Sequence, residues 1–266
     1  MGGFKIRIII ALVIAAFSLI SYFSSSTLNL VTGEKQHISM SEDEEIAMGL
    51  QSAPEMAQQF GGVSSNAQAA ALVKQIGGQI VQQSVAKTTK YQFDFHLLAD
   101  AQTVNAFALP GGQIFITEAL LSRIKTKGQL AGVLGHEVGH VLARHSAEHI
   151  AKQRLSSGLT TAAVVGVDPS SGGVQMAQMV AGLINMKYGR GDELEADKLG
   201  LRLAAEAGYD PRALIGVMKI LAQASGGGSR QPEFASTHPS PENRMGKIEE
   251  QLKLQFPNGV PEGLIK

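Results

Sequence analysis

The chain has 266 residues, of which 44% are hydrophobic and 17% are charged. This length and composition suffice for one large domain or two small ones, and they exclude a chain that is disordered throughout. Lysine plus arginine and aspartate plus glutamate both number 23, so the formal net charge is zero, which argues against a nucleic-acid-binding protein. The absence of cysteine excludes disulfides, thiolate metal ligands and a cysteine nucleophile.

The N-terminal segment, residues 1–23, predicts a membrane anchor or signal segment. Lys5 and Arg7 precede an apolar run from Ile8 to Ile20, which is long for a signal-peptide core and short for a membrane span. Basic residues in front of the run favour an N-terminus that stays in the cytoplasm. We therefore expect a membrane-anchored or exported chain whose following region is extracytoplasmic, and we favour an uncleaved anchor.

Residues 24–40 are predicted as a linker, residues 41–256 as one domain and residues 257–266 as a C-terminal tail. Ser41 followed by Glu44 matches the capping-box pattern and predicts a helix that ends near residue 60. Apolar residues at helical spacing predict a second helix over roughly 65–85.

The rest of the domain predicts a small group of strands followed by helices. Residues 91–97 alternate between apolar and polar side chains, and two apolar runs flank the turn Pro110-Gly111-Gly112. The serine- and glycine-rich stretch 155–173 predicts a connection that could cover a site. Helices are predicted at about 127–154, 174–186, 192–207, 211–224 and 241–254. The order of elements predicts an α+β fold, mainly α-helical, with a small β-sheet.

The segment His136-Glu137-Val138-Gly139-His140 has the pattern HExxH and lies inside a predicted helix. Two histidines four residues apart lie on the same helix face, so both imidazoles can reach one metal ion. The glutamate after the first histidine can reach a water molecule on that metal. This arrangement is typical of a zinc-dependent hydrolase with Glu137 as the general base.

A catalytic zinc site needs a third protein ligand and one open position. Glu193 and Asp197 are four residues apart, so one could bind the metal while the other hydrogen-bonds a ligand histidine. An exposed acidic helix start would give the same spacing. His238 precedes a proline and is held extended, so it could be a ligand, a substrate contact or a loop histidine. The residues alone leave these alternatives open.

Three other polar residues near the motif are predicted to lie away from the site. A continuous helix would place His145 and His149 roughly 140° to 180° around its axis from His136 and His140, so both are interpreted as surface or packing histidines. Glu195 lies two residues from both Glu193 and Asp197 and is interpreted as a solvent-facing charge.

Four segments together carry a family resemblance. They are Asn105–Gly112, the HExxH segment, Glu193 with Asp197, and Thr237-His238-Pro239 followed by Arg244. On these residues the chain resembles the gluzincin metallopeptidases of the HtpX, CaaX-prenyl-protease and BepA type, metallopeptidase family forty-eight. HExxH alone is moderately specific, whereas the four segments in the family's order are strongly specific.

The resemblance implies a zincin-like metallopeptidase domain, with the small β-sheet beside the active-site helix. It implies one zinc ion (Zn2+) per chain, held by His136, His140 and Glu193. It also implies that Glu137 is the catalytic base and that Asp197 is the hydrogen-bonding partner of a ligand histidine.

The resemblance further implies that Asn105 and Ala106 hold an extended substrate backbone, which agrees with the physics of adding a peptide strand to a sheet edge. His238 would lie near the zinc and contact the metal or the substrate. The chain lacks the additional membrane segments of the HtpX and prenyl-protease branch. It is more similar to the soluble extracytoplasmic branch, which is associated with envelope protein quality control. This resemblance implies that the catalytic domain lies on the periplasmic side of an inner membrane.

These inferences predict a zinc-dependent endopeptidase that cleaves misfolded or envelope proteins by Glu137-assisted attack of a zinc-bound water. The expected partners are protein or peptide substrates and a membrane, with no nucleic acid. The alternative is a latent or chaperone-like zinc protein of the same fold that binds clients with little cleavage. Glu137 argues against a protein that never cleaves, whereas a latent state gated by His238 or by residues 155–173 stays open.

Overall fold

A computed structural model describes residues 2–167, 188–226, 234, 237, 238 and 243–266. Helices dominate this part of the chain, so the prediction of a mainly α-helical α+β fold with a small sheet is confirmed. The elements are α1 (Gly2–Ser24), β1 (Ser26–Leu28), β2 (Lys35–His37), α2 (Glu42–Gln59), α3 (Ala67–Gln83), β3 (Asp94–Leu98), β4 (Ala106–Ala108), β5 (Gln113–Thr117), α4 (Glu118–Leu121), α5 (Lys127–Leu142), α6 (His145–Val167), α7 (Arg190–Glu206), α8 (Ala213–Gly226) and α9 (Arg244–Gln255). Short 3-10 turns occupy Val85–Thr88 and Pro110–Gly112.

The chain divides into two units, and the smaller one contains residues 1–41 and 146–184. Its α1 includes an apolar stretch, Phe4–Ser24, with a mean hydropathy of 2.4, long enough to cross a membrane. This helix fits the predicted membrane anchoring. The stretch predicted as a linker contains an antiparallel hairpin of β1 and β2, closed by backbone N–H groups that donate to the Asn29 side chain. Strands of three residues are too short to give an alternation signal in the sequence.

Helix α6 continues to Val167, so the predicted connection over 155–173 is wrong for residues 155–167. The hydroxyls of Thr160 and Thr161 donate to carbonyls four residues earlier, at 2.9 and 2.8 Å, which keeps this polar stretch compatible with a helix. The remainder of that stretch and the helix predicted at 174–186 lie outside the described residues.

The larger unit contains residues 42–145 and 185–266, and α5 lies at its centre. Every residue from Leu130 to Ala143 is buried. Helices α3, α7 and α8 and strand β4 pack around α5. The predicted tail also packs here, because the Ile265 N–H donates to the Gly208 carbonyl at 2.9 Å. A helix surrounded in this way holds its side chains in fixed positions, which suits it to carry the HExxH motif.

The three-stranded sheet has the order β3-β5-β4, with β3 parallel and β4 antiparallel to β5. Strand β5 is buried throughout, whereas β4 lies at one edge. Asn105 and Leu109, which flank β4, bond across to β5. Because such bonds alternate along an antiparallel pair, the backbone groups of Ala106 and Ala108 point away from β5.

The prediction of a single helix over 127–154 is wrong, because a turn between α5 and α6 interrupts the helix. Arg144 has a φ of 57°, in the left-handed region that side chains other than glycine rarely adopt. Its guanidinium forms an ion pair with the buried carboxylate of Glu45, which also accepts a hydrogen bond from Tyr91 at 3.3 Å. This tertiary contact stabilises a turn that has neither glycine nor proline to mark it in the sequence.

Helices α5 and α7 approach each other closely through three glycines. A Cβ added at Gly139 would lie 2.9 Å from the Ala196 carbonyl oxygen, and one at Gly200 would lie 2.9 Å from the His136 nitrogen. At Gly135 it would lie 3.1 Å from the Gly200 carbonyl oxygen. Only residues without a side chain allow this separation of the two backbones.

We expect Gly200→Ala to lower the free energy of unfolding by about 1–3 kcal/mol, because the new methyl group must displace the backbone of α5. Denaturant unfolding of the full-length chain in detergent, followed by circular dichroism, measures this loss. Gly191→Ala is the matched control on the same helix, since its Cβ would meet nothing within 4 Å. Equal stability of the two variants would contradict the close packing of α5 against α7.

Candidate metal centre

Four side chains from three segments meet beside α5. Helix α5 contributes His136 and His140, α7 contributes Glu193, and the segment after Phe234 contributes His238. Each offers one ligand atom, and these atoms all lie within 4.8 Å of one another. The structure therefore brings together the three predicted ligands, and it adds His238 as a fourth donor.

The separations between these atoms match those around one small cation. His136 Nε2 lies 3.0 Å from His140 Nε2, 3.5 Å from a Glu193 oxygen and 3.4 Å from His238 Nδ1. The other Glu193 oxygen lies 3.4 Å from His140 Nε2 and 2.9 Å from His238 Nδ1. Bonds of about 2.0–2.1 Å in a tetrahedron place neighbouring ligand atoms about 3.3 Å apart. The donor set fits zinc by distance and by chemistry.

The same site contains buried polar atoms that make no hydrogen bond. His136, Glu137, His140, Glu193 and His238 are all at most 2% exposed. Both carboxylate oxygens of Glu137 and Nε2 of His238 have no hydrogen-bond partner among the described residues. Burying such groups is costly unless a ligand satisfies them. This observation supports a site built to hold an ion and a reactant.

A buried ion pair fixes the ring of His136. Its Nδ1 lies 2.9 Å from an Asp197 oxygen, so Nε2 is directed at the other donors. The guanidinium of Arg244 donates two hydrogen bonds to Asp197, both at 2.8 Å, and lies 2.9 Å from Glu193. Asp197 therefore lies beside the ring of His136, as predicted for it, and Arg244, to which no role was assigned from the sequence, contacts both carboxylates.

The electrostatics of the site favour a cation. Burial lowers the pKa of His136, but hydrogen bonds and charges from Asp197 and Glu193 outweigh this and raise the pKa to about 9. Burial raises the pKa of Glu193, but the charge of His238 and hydrogen bonds from the histidines hold it well below its usual range. Burial keeps the pKa of His140 well below that of a free imidazole. A metal ion at neutral pH would displace the proton of His136.

Glu137 lies on the same helix but outside the donor cluster. It is completely buried, and this burial raises the pKa of its carboxyl group above the usual value, against the lowering effect of His238 and His136. Its Oε1 lies 3.7 Å from Nε2 of His238. A carboxylate in this environment accepts a proton more readily than one in water.

His145 and Glu195 lie at the site, which corrects their interpretation as a packing histidine and a solvent-facing charge. His145 is 1% exposed, and its Nδ1 lies 2.8 Å from Nδ1 of His140. Its Nε2 lies 3.1 Å from Glu195. The prediction was wrong because it assumed a continuous helix, whereas the turn at Arg144 brings His145 back towards His140.

Two aromatic rings cover the histidines. The ring of Tyr188 stacks on His140, with centroids 4.0 Å apart, and Phe234 stacks on His238 at 4.4 Å. The Phe234 N–H also donates to the Val104 carbonyl at 3.2 Å. The segment that carries His238 is therefore attached to the chain just before β4.

The predicted substrate-binding residues lie at the start of this edge strand. Asn105 is 2% exposed, and its side-chain Oδ1 has no hydrogen-bond partner in the described part of the chain. Ala106 directs its backbone groups away from β5, as the ladder requires. Ala106 is also buried, at 0% exposed, and the binding of an extended peptide by these two residues stays a prediction.

Comparison with known proteins identifies the family. The family described as Peptidase family M48 matches residues 67–252. The chain belongs to peptidase family M48. This membership confirms the resemblance drawn from the four motifs and places the HExxH helix in a metallopeptidase domain.

Relatives within the M48 family are similar over the same region. The mitochondrial metalloendopeptidase OMA1 of Schizosaccharomyces pombe is 38% identical over 169 residues, which are 64% of this chain and 49% of that protein. Beta-barrel assembly-enhancing proteases of Yersinia pestis and Escherichia coli K12 are 29% and 31% identical over 194 and 193 residues. These are 70% of this chain and 39% of each of those proteins. The chain thus spans less than half the length of these relatives.

Sequence reasoning missed several residues of this M48 site for identifiable reasons. Arg244 belonged to a matching motif but is distant in sequence from its partners. Tyr188 and Phe234 carried no spacing signal, because single aromatic residues are more common as core side chains. His145 and Glu195 were misplaced by the helix break.

Proposed function

We propose that this M48 peptidase is a zinc-dependent endopeptidase that holds one zinc ion on His136, His140 and Glu193 and uses Glu137 as general base. The observation that carries the proposal is the meeting of these donors beside a buried carboxylate with no hydrogen-bond partner. Zinc in such a site would act as a Lewis acid, and it would lower the pKa of its bound water to about 7.

In this proposal the residues of the chain divide the remaining work between them. Glu137 removes a proton from the attacking water and later delivers it to the leaving nitrogen of the cleaved peptide bond. Its raised pKa suits it to hold that proton between the two steps. Asp197 keeps the ring of His136 in the orientation that presents Nε2.

The edge of β4 would bind the substrate backbone. An extended peptide that pairs with Ala106 continues the sheet order β3-β5-β4 by one strand. The unpartnered Oδ1 of Asn105 offers an acceptor to the same peptide. Recognition through the backbone depends little on side chains, which fits clients that are unfolded rather than one defined sequence.

We infer the place of action from the N-terminal helix α1. Lys5 and Arg7, which precede the apolar run Ile8–Ile20 within α1, favour a cytoplasmic N-terminus, so the peptidase domain would lie on the other side of the membrane, in the periplasm. Misfolded envelope proteins are the substrates available there. Similarity to beta-barrel assembly-enhancing proteases supports this substrate class.

Glu137→Gln should leave zinc bound and lower casein cleavage by about 10²–10⁴-fold, because a neutral amide cannot take up a proton. Casein cleavage by the full-length protein in detergent and its zinc content measure the two effects separately. Glu250→Gln is the control, since Glu250 is exposed and pairs with Lys247. Cleavage at the wild-type rate by Glu137→Gln would contradict the assigned base.

A second candidate is a latent form of the same enzyme. His238 Nδ1 lies 2.9 Å from Glu193, and its Nε2 faces Glu137 at 3.7 Å. The ring therefore fills the space between the donor cluster and the base, where the reactants would have to be. With His238 as a fourth ligand, no open position is left for a water molecule. The chain would then cleave only after His238 moves away.

Under the latent form, His238→Ala should raise casein cleavage several-fold and retain zinc on the three remaining donors. Thr237→Ala is the control, because it alters the same segment without removing the imidazole. A loss of cleavage in His238→Ala with zinc still bound would instead assign His238 to substrate contact and reject latency. Unchanged cleavage would also reject it.

A further inference from the structure

We propose that His145 and Glu195 are positioning residues that orient His140 towards the metal. They form a chain of contacts that starts at the ligand histidine and ends at a carboxylate. The inference rests on the proposed zinc site and adds two residues to it. Neither residue belongs to the donor cluster, and each acts through its neighbour.

The contacts connect His140 to Glu195 through His145. His140 Nδ1 lies 2.8 Å from His145 Nδ1, and His145 Nε2 lies 3.1 Å from an oxygen of Glu195. His140 Nε2 faces the other way, at 3.0 Å from His136 Nε2 and 3.4 Å from Glu193. The ring of His140 is thus placed between the donor cluster and His145.

Only one arrangement of protons fits the contacts from His140 through His145 to Glu195 and also leaves Nε2 of His140 unprotonated, as metal binding requires. A contact of 2.8 Å between two ring nitrogens needs a single proton between them. If His140 donates it, then His145 accepts on Nδ1 and carries its own proton on Nε2, where it donates to Glu195. If His145 donated instead, a neutral His140 would carry its proton on Nε2 and could not bind a cation. Glu195 accepts but does not donate, so when both rings are neutral it requires the His145 proton on Nε2 and selects the first arrangement.

Contacts elsewhere in the fold hold His145 and His140 in place. The left-handed turn at Arg144 directs His145 towards His140, and the ion pair with Glu45 fixes that turn. Tyr188 stacks on the ring of His140 at an interplanar angle of 22°, which limits the rotation of that ring.

The two ligand histidines on α5 are therefore oriented by different devices. His136 contacts the carboxylate of Asp197 directly, at 2.9 Å. His140 reaches the carboxylate of Glu195 through His145. Each carboxylate lies on α7 close to Glu193, so one helix supplies a metal ligand and both orienting charges.

The test is the zinc affinity of the full-length protein in detergent, measured by competition with a chromogenic chelator. His145→Phe keeps a ring but removes the acceptor, and we expect it to weaken zinc binding by about 10–100-fold. His145→Asn places an amide oxygen near the position of Nδ1 and should recover most of the loss. Glu195→Ala should give a smaller weakening. His149→Phe, on the same helix, is the matched control.

Zinc affinity of His145→Phe that equals the wild type would overturn the proposal. Equal losses in His145→Phe and His145→Asn would also overturn it, because they would indicate a role in packing alone. If His145→Phe does not fold, Glu195→Ala decides, since that side chain is 24% exposed and its removal leaves the core intact. A wild-type chain that binds no zinc would reject the proposed function itself, which is a separate outcome.

Discussion

Glycines at positions 135, 139 and 200 let α5 and α7 approach so closely that an added Cβ would meet the opposite backbone at 2.9 to 3.1 Å. The metal site depends on this contact, because the histidines lie on one helix and Glu193 lies on the other. If the two helices lay farther apart by the width of one methyl group, the Glu193 carboxylate would be out of reach of the rings of His136 and His140. Since α5 is buried on all sides, the histidines cannot shift to compensate.

The close contact also concentrates charge in a dry environment. Glu193 and Asp197 are at most 1% exposed, and the cations that face them are Arg244 and His136, whose pKa is raised to about 9. Removing one partner of such a buried pair is strongly destabilising, so the network specifies its own geometry. The same environment leaves Glu137 without a hydrogen-bond partner among the described residues and raises its pKa, so this carboxylate accepts a proton more readily than one in water.

The sequence predicted those features that depend on local spacing. His136 and His140 share a face because they are four residues apart on a helix, and the same rule placed Asp197 beside Glu193. The sequence could not place His238 among the donors, because loop conformation depends on contacts such as the one between Phe234 and Val104. It placed His145 wrongly, because the turn at Arg144 is stabilised by Glu45, which is 99 residues away in the chain. Prediction therefore failed where tertiary contacts override local preference.

The central claim is that the donors on α5 and α7 bind a single zinc ion, and X-ray absorption at the zinc edge tests it most directly. The zinc-loaded full-length chain should contain one zinc per chain, with nitrogen and oxygen ligands at about 2.0–2.1 Å and the scattering pattern of at least two imidazoles. Glu193→Ala should lose zinc or change this spectrum. Zinc that is absent from the wild type, or a spectrum that is identical in Glu193→Ala, would contradict the account.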